Sequence, residues 1–229
     1  MDRHQVITQG ELDVEGRFID ASNATLFAVA KLGNQEAKVI YKPVAGERPL
    51  WDFPDGNLAQ RERAAYLLSE GLGLHLVPFT ILRDGPFGVG SVQEWIEMEE
   101  DFDVVAFASA DTQELRKMVL LDAIINNTDR KYGHILVDLN GRIFGCDHGV
   151  TFHADPKLRT VLWQWAGEEF TAEEISVLQK SIEIAESILS DLITKEEIQA
   201  LNERSTEMIH AGAFPYPSEE WPAIPWPPF

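Results

Sequence analysis

The chain has 229 residues, 45% of them hydrophobic, a formal net charge of −19 and a single cysteine. That is enough apolar material for a substantial core, while the charge opposes binding to nucleic acid or to anionic membrane faces. No apolar run approaches the roughly 20 residues needed to cross a bilayer, Met1-Asp2-Arg3-His4-Gln5 has no basic-then-apolar leader pattern, and Cys146 alone cannot close an intramolecular disulfide; a soluble, cytoplasmic protein without a transmembrane segment or nucleic-acid partner is expected.

Residues 16–19, 26–31 and 37–41 read as three strands. The polar turn between the first two, which contains Ser22 and Asn23, offers backbone N–H groups and hydroxyls that can cover phosphates. An ordinary hairpin turn accounts for it equally well. Residues 43–57 are rich in proline and carry Trp51 and Phe53, so this stretch is expected to lay its rings on the body of the protein. A helix follows over residues 58–70, with Asn57 as N-cap and Gly71 or Gly73 at its end. Arg61 and Glu62 both border its apolar row, and periodicity does not say which points inward.

Residues 77–82 and 90–96 read as two further strands, completing a five-stranded sheet. Acidic residues then crowd the chain from Glu94 to Asp103, a pattern that reads as a solvated connector. The division expected is a sheet-based unit over residues 1–95, a helical unit over 96–211 and a Pro/Trp-rich tail over 212–229. A helix is expected to start near Asp111, with Asp111 and Glu114 as a capping-box-like pair, and to run apolar on nearly every side to Ile125. Asp122 within it is expected to hydrogen-bond the backbone of the following loop.

That loop, Asn126-Asn127-Thr128-Asp129-Arg130-Lys131-Tyr132-Gly133-His134, leads into two short strands around Asn140-Gly141, the strongest local signal for a hairpin. The hairpin returns the chain to Asp147-His148-Gly149, so Asp129 and Asp147 come back to the same end. Two acids so placed make the polar half of a phosphotransfer site. Residues 150–170 have little regular pattern but contain Lys157 and Arg159, which suit either a phosphate-bearing acceptor or plain surface charge. Helices over 172–192 and 195–210 carry Thr171 and Thr194 as caps. The tail's aromatics favour packing over disorder.

Asn127-Thr128-Asp129-Arg130 with Ile135-Leu136-Val137, and then Cys146-Asp147-His148-Gly149, resembles the catalytic and metal-binding motifs of the phosphatidylinositol 3/4-kinase-like superfamily, and is closest to its type II phosphatidylinositol 4-kinase branch. Tyr41-Lys42-Pro43, Arg61-Glu62 and Leu158-Arg159-Thr160-Val161-Leu162-Trp163 are also similar to a group of small actinobacterial proteins of that kind. The resemblance implies an α+β, bilobal, minimal atypical protein-kinase-like fold with a small antiparallel sheet lobe and a mostly helical lobe. It implies a kinase using ATP with Mg2+ or Mn2+ to phosphorylate a hydroxyl; the charge directs the acceptor toward a protein or soluble small molecule rather than an anionic lipid surface.

Carried over residue by residue, the resemblance makes Asp129 the base or orienter and Lys131 the neutraliser of charge on the transferred group. Lys42 would hold the phosphates and be steadied by Glu62. Ser22, Asn23, Glu94, Trp95 and Ile96 complete the nucleotide contacts, and Asp147 binds the metal. His134 stands where most kinases have a second, Asn ligand. Imidazole suits manganese better than magnesium, so His134 ligates manganese, hydrogen-bonds the phosphates, or marks a nucleotide-binding pseudokinase that acts as a regulatory interaction module; a structural hydrogen-bonding role accounts for it equally well.

Overall fold

The computed structural model describes residues 2–18, 23–53 and 57–229. The chain begins with helix α1 (Arg3–Gln9), which precedes strands β1 (Glu11–Arg17), β2 (Leu26–Leu32) and β3 (Gln35–Pro43). Helix α2 (Leu58–Leu72) and strands β4 (Thr80–Gly85) and β5 (Gly88–Glu94) follow, giving an antiparallel sheet in the order β1-β2-β3-β5-β4. The remainder is mostly helical: α3 (Val104–Ala108), α4 (Gln113–Ile124), a hairpin of β6 (Ile135–Val137) and β7 (Ile143–Gly145), then α5 (Ala172–Leu189) and α6 (Lys195–Ala211). Sheet-based and helical parts together make the expected kinase-like α+β fold.

Alternation along the strands sorts the sheet's faces. Ala37, Val39 and Tyr41 of β3 join Leu26, Ala28 and Ala30 of β2 and Val92 of β5 in a core covered by Val6 and Ile7 of α1. The opposite face carries Lys42 and Ile40, the latter paired directly with Phe27 of β2. A second, larger core contains the apolar side of α4 together with Leu68 and Leu72 of α2, Leu178 and Leu189 of α5 and Leu201 of α6. Helix α2 therefore sits beside the sheet in sequence while burying its aliphatic row in the helical core.

The caps explain where the helices start and stop. Asn57 Oδ1 accepts from Gln60 N at 2.8 Å, and the Glu47 carboxylate takes the next two free N–H groups, Leu58 at 3.0 Å and Ala59 at 2.9 Å. Gly73 ends α2 in the left-handed region at φ 77°, which glycine enters without a steric penalty. Thr171 and Thr194 each form a complete capping box, with Glu174 and Glu197.

Two expectations are corrected. The first strand is centred earlier than residues 16–19, on Glu11–Arg17, because Leu12 and Val14 alternate into the sheet; Ile19 and the turn through Ser22 lie outside the described residues. The N-cap of α4 is Thr112, whose hydroxyl accepts from Leu115 N at 3.3 Å, and not Asp111. Asp111 instead accepts from Trp165 Nε1 at 3.2 Å. The acidic run ends at Asp103, which caps helix α3 by accepting from Ala106 N at 3.0 Å.

Leu68 is fully buried between α2 and the helical core. Leu68→Ala is expected to lower unfolding stability by about 2–5 kcal/mol, read as a lower urea midpoint at unchanged slope.

Candidate active site

The hairpin of β6 and β7 is closed not by a two-residue turn but by Asp138, whose Oδ1 accepts from Asn140 N and Arg142 N, both at 2.9 Å. It returns the chain to the loop that follows α4. There Arg130, fully buried, gathers the surrounding groups. Its Nε and Nη2 donate to the two Asp122 carboxylate oxygens at 2.8 Å each. Nη1 reaches the carbonyls of His134 and Cys146 at 3.1 Å, and Nη2 lies 2.8 Å from His148 Nε2. One guanidinium thus ties the end of α4, the loop through His134 and the Asp147-His148 segment together.

Asp122 also accepts from Asn127 Nδ2 at 2.9 Å, and Asn127 Oδ1 in turn accepts from Asp129 N at 3.0 Å. Its expected role toward loop backbone is corrected: its carboxylate holds the side chains of Arg130 and Asn127. Thr128 donates through both N and Oγ1 to the Val150 carbonyl, at 3.1 and 2.9 Å. Arg159 Nε donates to the Thr128 carbonyl at 2.7 Å. These bonds fix the backbone on both sides of Asp129, whose side chain is left partly exposed beside Lys131, with Nζ 3.3 Å from Oδ2.

Across the cleft, Lys42 Nζ lies 2.5 Å from Glu62 Oε1 and 2.7 Å from Asp147 Oδ1. Glu62 Oε2 accepts from His148 N at 3.0 Å. Arg61 is buried as deeply as Glu62, but it serves packing: it donates to the Thr151 carbonyl at 2.9 Å and pairs with Glu197 at 2.6 Å. The α2 pair left open by periodicity both turn inward, and Glu62 is the one that meets Lys42. His134 Nε2 sits 3.4 Å from Asp147 Oδ2, while its buried Nδ1 has no hydrogen-bond partner among the described residues.

Electrostatics separate the two acids. The ammonium of Lys42 holds the Asp147 carboxyl well below the usual carboxylate range, against the effect of burial. Burial alone would discharge Lys42; the charges of Asp147 and Glu62 outweigh it and raise its pKa. Burial raises the pKa of Asp129; Lys131 opposes that rise and the nearby charge of Asp147 adds to it. Burial lowers His134 to about 4 and pushes the Cys146 thiol up to about 12, so the imidazole is neutral and the thiol unreactive at neutral pH. Asp147 adopts φ 58°, Asn126 φ 52° and Phe152 φ 63°. Backbone strain of this kind is concentrated around functional loops.

The other expected nucleotide residues divide. Trp95 packs edge-on against Phe27, centroids 5.4 Å apart, and near-parallel to Phe18 at 6.3 Å. Through Phe27 this aromatic ledge shares the sheet face of Lys42. Glu94 is turned to the other face, pairing with Arg3 at 2.9 Å. Ile96 lies just beyond β5, partly buried. Asn23 Oδ1 accepts from Arg48 N at 2.9 Å, and Ser22 lies outside the described residues.

The tail runs back over this loop system. Ala223 O accepts from Thr160 N at 3.1 Å and Trp163 Nε1 at 2.9 Å, Pro228 O accepts from Tyr132 N at 2.9 Å, and Phe229 packs on Tyr132. Lys157 is not a surface charge. Its Nζ lies 5.4 Å from the Trp51 ring centroid and 4.9 Å from that of Trp221, and 3.0 Å from His153 Nε2.

Residues 57–186 match the family model described as phosphatidylinositol 3- and 4-kinase. The whole chain aligns at 40% identity with 96% of Protein Rv2133c of Mycobacterium tuberculosis. The chain belongs to the phosphatidylinositol 3- and 4-kinase family. Its fold is also similar to that of the Helicobacter pylori proinflammatory kinase CtkA, with a TM-score of 0.51 at 11% identity, covering 90% of this chain and 94% of the other.

Within this family member, sequence reasoning gave Arg130 no role of its own and missed the cap by Glu47. Asp122, the lone charge in the apolar run 118–125, was the available signal that a counter-ion lies nearby. Breaking the pair leaves a buried guanidinium without its counter-ion. Asp122→Asn is expected to cost about 3–5 kcal/mol of stability, measured by urea unfolding.

Proposed function

We propose that this protein is an ATP-dependent phosphotransferase that moves the γ-phosphoryl group to a hydroxyl of a protein or soluble small molecule. The observation that carries this reading is Lys42 between Glu62 and Asp147, with Asp129 and Lys131 on the adjoining loop. A cation at that point suits phosphate oxygens. Trp95 and Phe27, on the same side of the sheet, suit the purine as a stacking ledge.

Each chain residue has one task. Asp129, its pKa raised by burial, is the better proton acceptor for it. It orients the acceptor O–H and takes its proton as the oxygen attacks the γ-phosphorus and the bond to the β–γ bridging oxygen breaks, releasing ADP. Lys131 offsets charge on the transferred group. Glu62 keeps Lys42 extended into the cleft. Asp147, half-exposed and held charged, fits a hard divalent cation whose other ligands would be phosphate oxygens and water. When bound, Mg2+ or Mn2+ would supply charge neutralisation on those phosphates. His134, beside Asp147, favours manganese as a second ligand.

One observation favours a second reading, a pseudokinase that binds nucleotide without turnover. His134 occupies the position of the usual Asn, and among the described residues its buried Nδ1 has no carbonyl or carboxylate of the kind that ordinarily steadies a ligating imidazole.

The test is ADP release and intact mass of the protein incubated with ATP and either metal, mass distinguishing phosphoryl from adenylyl transfer. Asp129→Asn and Asp147→Asn are each expected to lower turnover about 100-fold or more. Asp129→Asn should keep the ATP-induced rise in melting temperature that Asp147→Asn loses. A melting shift with neither ADP nor labelling, on either metal, selects the pseudokinase; no shift and no turnover removes both readings.

A further inference from the structure

A cavity of about 440 Å3 lies away from Lys42 and Asp147, among the end of α4, the loop through Trp163, α6 and the start of the tail. Its volume is in the range of about 300–1,000 Å3 that accommodates small-molecule ligands. Leu158, Trp163, Met208, Phe214 and Pro215 give it an apolar lining. Such walls favour a hydrocarbon body.

Into this lining comes one cation, Arg204 of α6. Its Nε and Nη2 both donate to the Ile124 carbonyl at the end of α4, at 3.1 and 2.9 Å. A guanidinium has five N–H groups, and among the described residues Arg204 makes no other hydrogen bond and no ion pair. Glu207, on the same wall but exposed, forms no ion pair with it. Arg61, Arg116 and Arg130 each meet a carboxylate within 2.8 Å; among the described residues Arg204, like Arg63, Arg83 and Arg159, donates only to backbone carbonyls, and of these four it is the one that lines the cavity. Burial lowers the pKa of Arg204 to about 10, which leaves it charged at neutral pH. In a chain of net charge −19, an incompletely satisfied arginine at an apolar cavity is an uncommon local attraction for an anion.

We propose that this cavity is a binding site for a small amphiphilic anion, its hydrocarbon body against Leu158, Trp163, Met208 and Phe214 and its carboxylate or phosphate head on the free N–H groups of Arg204. The head gains charge-assisted hydrogen bonds that no protein group now takes. The tail of the ligand removes apolar wall from water. The site is separate from the phosphotransfer reading and is tested by binding alone.

The experiment titrates the full chain with dodecanoate below its micelle concentration, following heat by calorimetry and the fluorescence of Trp163 and its neighbours. Dodecyl phosphate, dodecanol and dodecyltrimethylammonium serve as matched heads. One saturable site for dodecanoate or dodecyl phosphate is expected, with the cationic analogue weaker. Arg204→Gln should weaken the anions about tenfold or more and leave dodecanol unchanged, while Arg204→Lys restores much of the loss. Ala211→Phe, which fills the cavity from an exposed position, should abolish binding of all heads at an unchanged melting temperature. Preference of dodecanoate over dodecyl phosphate, or the reverse, identifies the head.

Absence of a saturable site overturns the proposal. So does binding that survives Ala211→Phe, or an Arg204→Gln effect as large on dodecanol as on dodecanoate. Sedimentation showing a dimer that Ala211→Phe disrupts would assign the cavity to a second copy of the chain instead.

Discussion

The buried pairing of Arg130 with Asp122 is the constraint on which the site depends. A guanidinium with no solvent contact is tolerated only where its donors are satisfied, and here the partners come from three separated stretches: the Asp122 carboxylate, the carbonyls of His134 and Cys146, and the His148 ring. Satisfying one buried charge therefore fixes the relative position of the loop bearing Asp129 and the segment bearing Asp147. Such a pair adds little net stability by itself. Its contribution is to penalise every arrangement in which those stretches part.

A second electrostatic link crosses from sheet to helices. Lys42 is on β3, Glu62 on α2 and Asp147 after β7, and the three charges meet within 2.7 Å contacts. Because α2 anchors its aliphatic row in the helical core, Glu62 moves with the helices while Lys42 moves with the sheet. Any change in the angle between the two alters this contact first. On the proposed function, a cation arriving at Asp147 would compete with Lys42 for the same carboxylate, so that loading the cleft and releasing the lysine would be coupled.

Much of this was legible in the sequence because it is local. Strand alternation, the Asn57, Thr171 and Thr194 caps, the breaker at Gly73 and the hairpin between Asp129 and Asp147 are all set by residues within a few positions of one another. The family motifs pointed to the loops that Arg130 ties together. What periodicity left open was long-range. Arg61 and Glu62 both face inward because α2 is contacted on one side by Lys42 and His148 and on another by Thr151 and Glu197, and no helical repeat encodes two such partners. Thr112 displaced Asp111 as the cap once Trp165, more than fifty positions away, engaged the aspartate. The alternation at Leu12 and Val14 is equally local, and Gly16 beyond it interrupts the strand pattern without ending the strand.

Lys157 has a wider consequence. Enclosed by Trp51 and Trp221, it joins Arg61, Arg116 and Arg130 as a base consumed inside the fold. Among the described residues the buried carboxylates of Glu62, Asp122, Glu174 and Glu197 match these bases in number, so the acid excess is displayed outward undiminished. Visitors of positive or neutral character will reach this surface faster than anionic ones, and added salt will narrow the difference over a Debye length of about 10 Å at 0.1 M. A charge-balanced interior thus leaves the whole net charge of the chain to select which molecules approach the exterior.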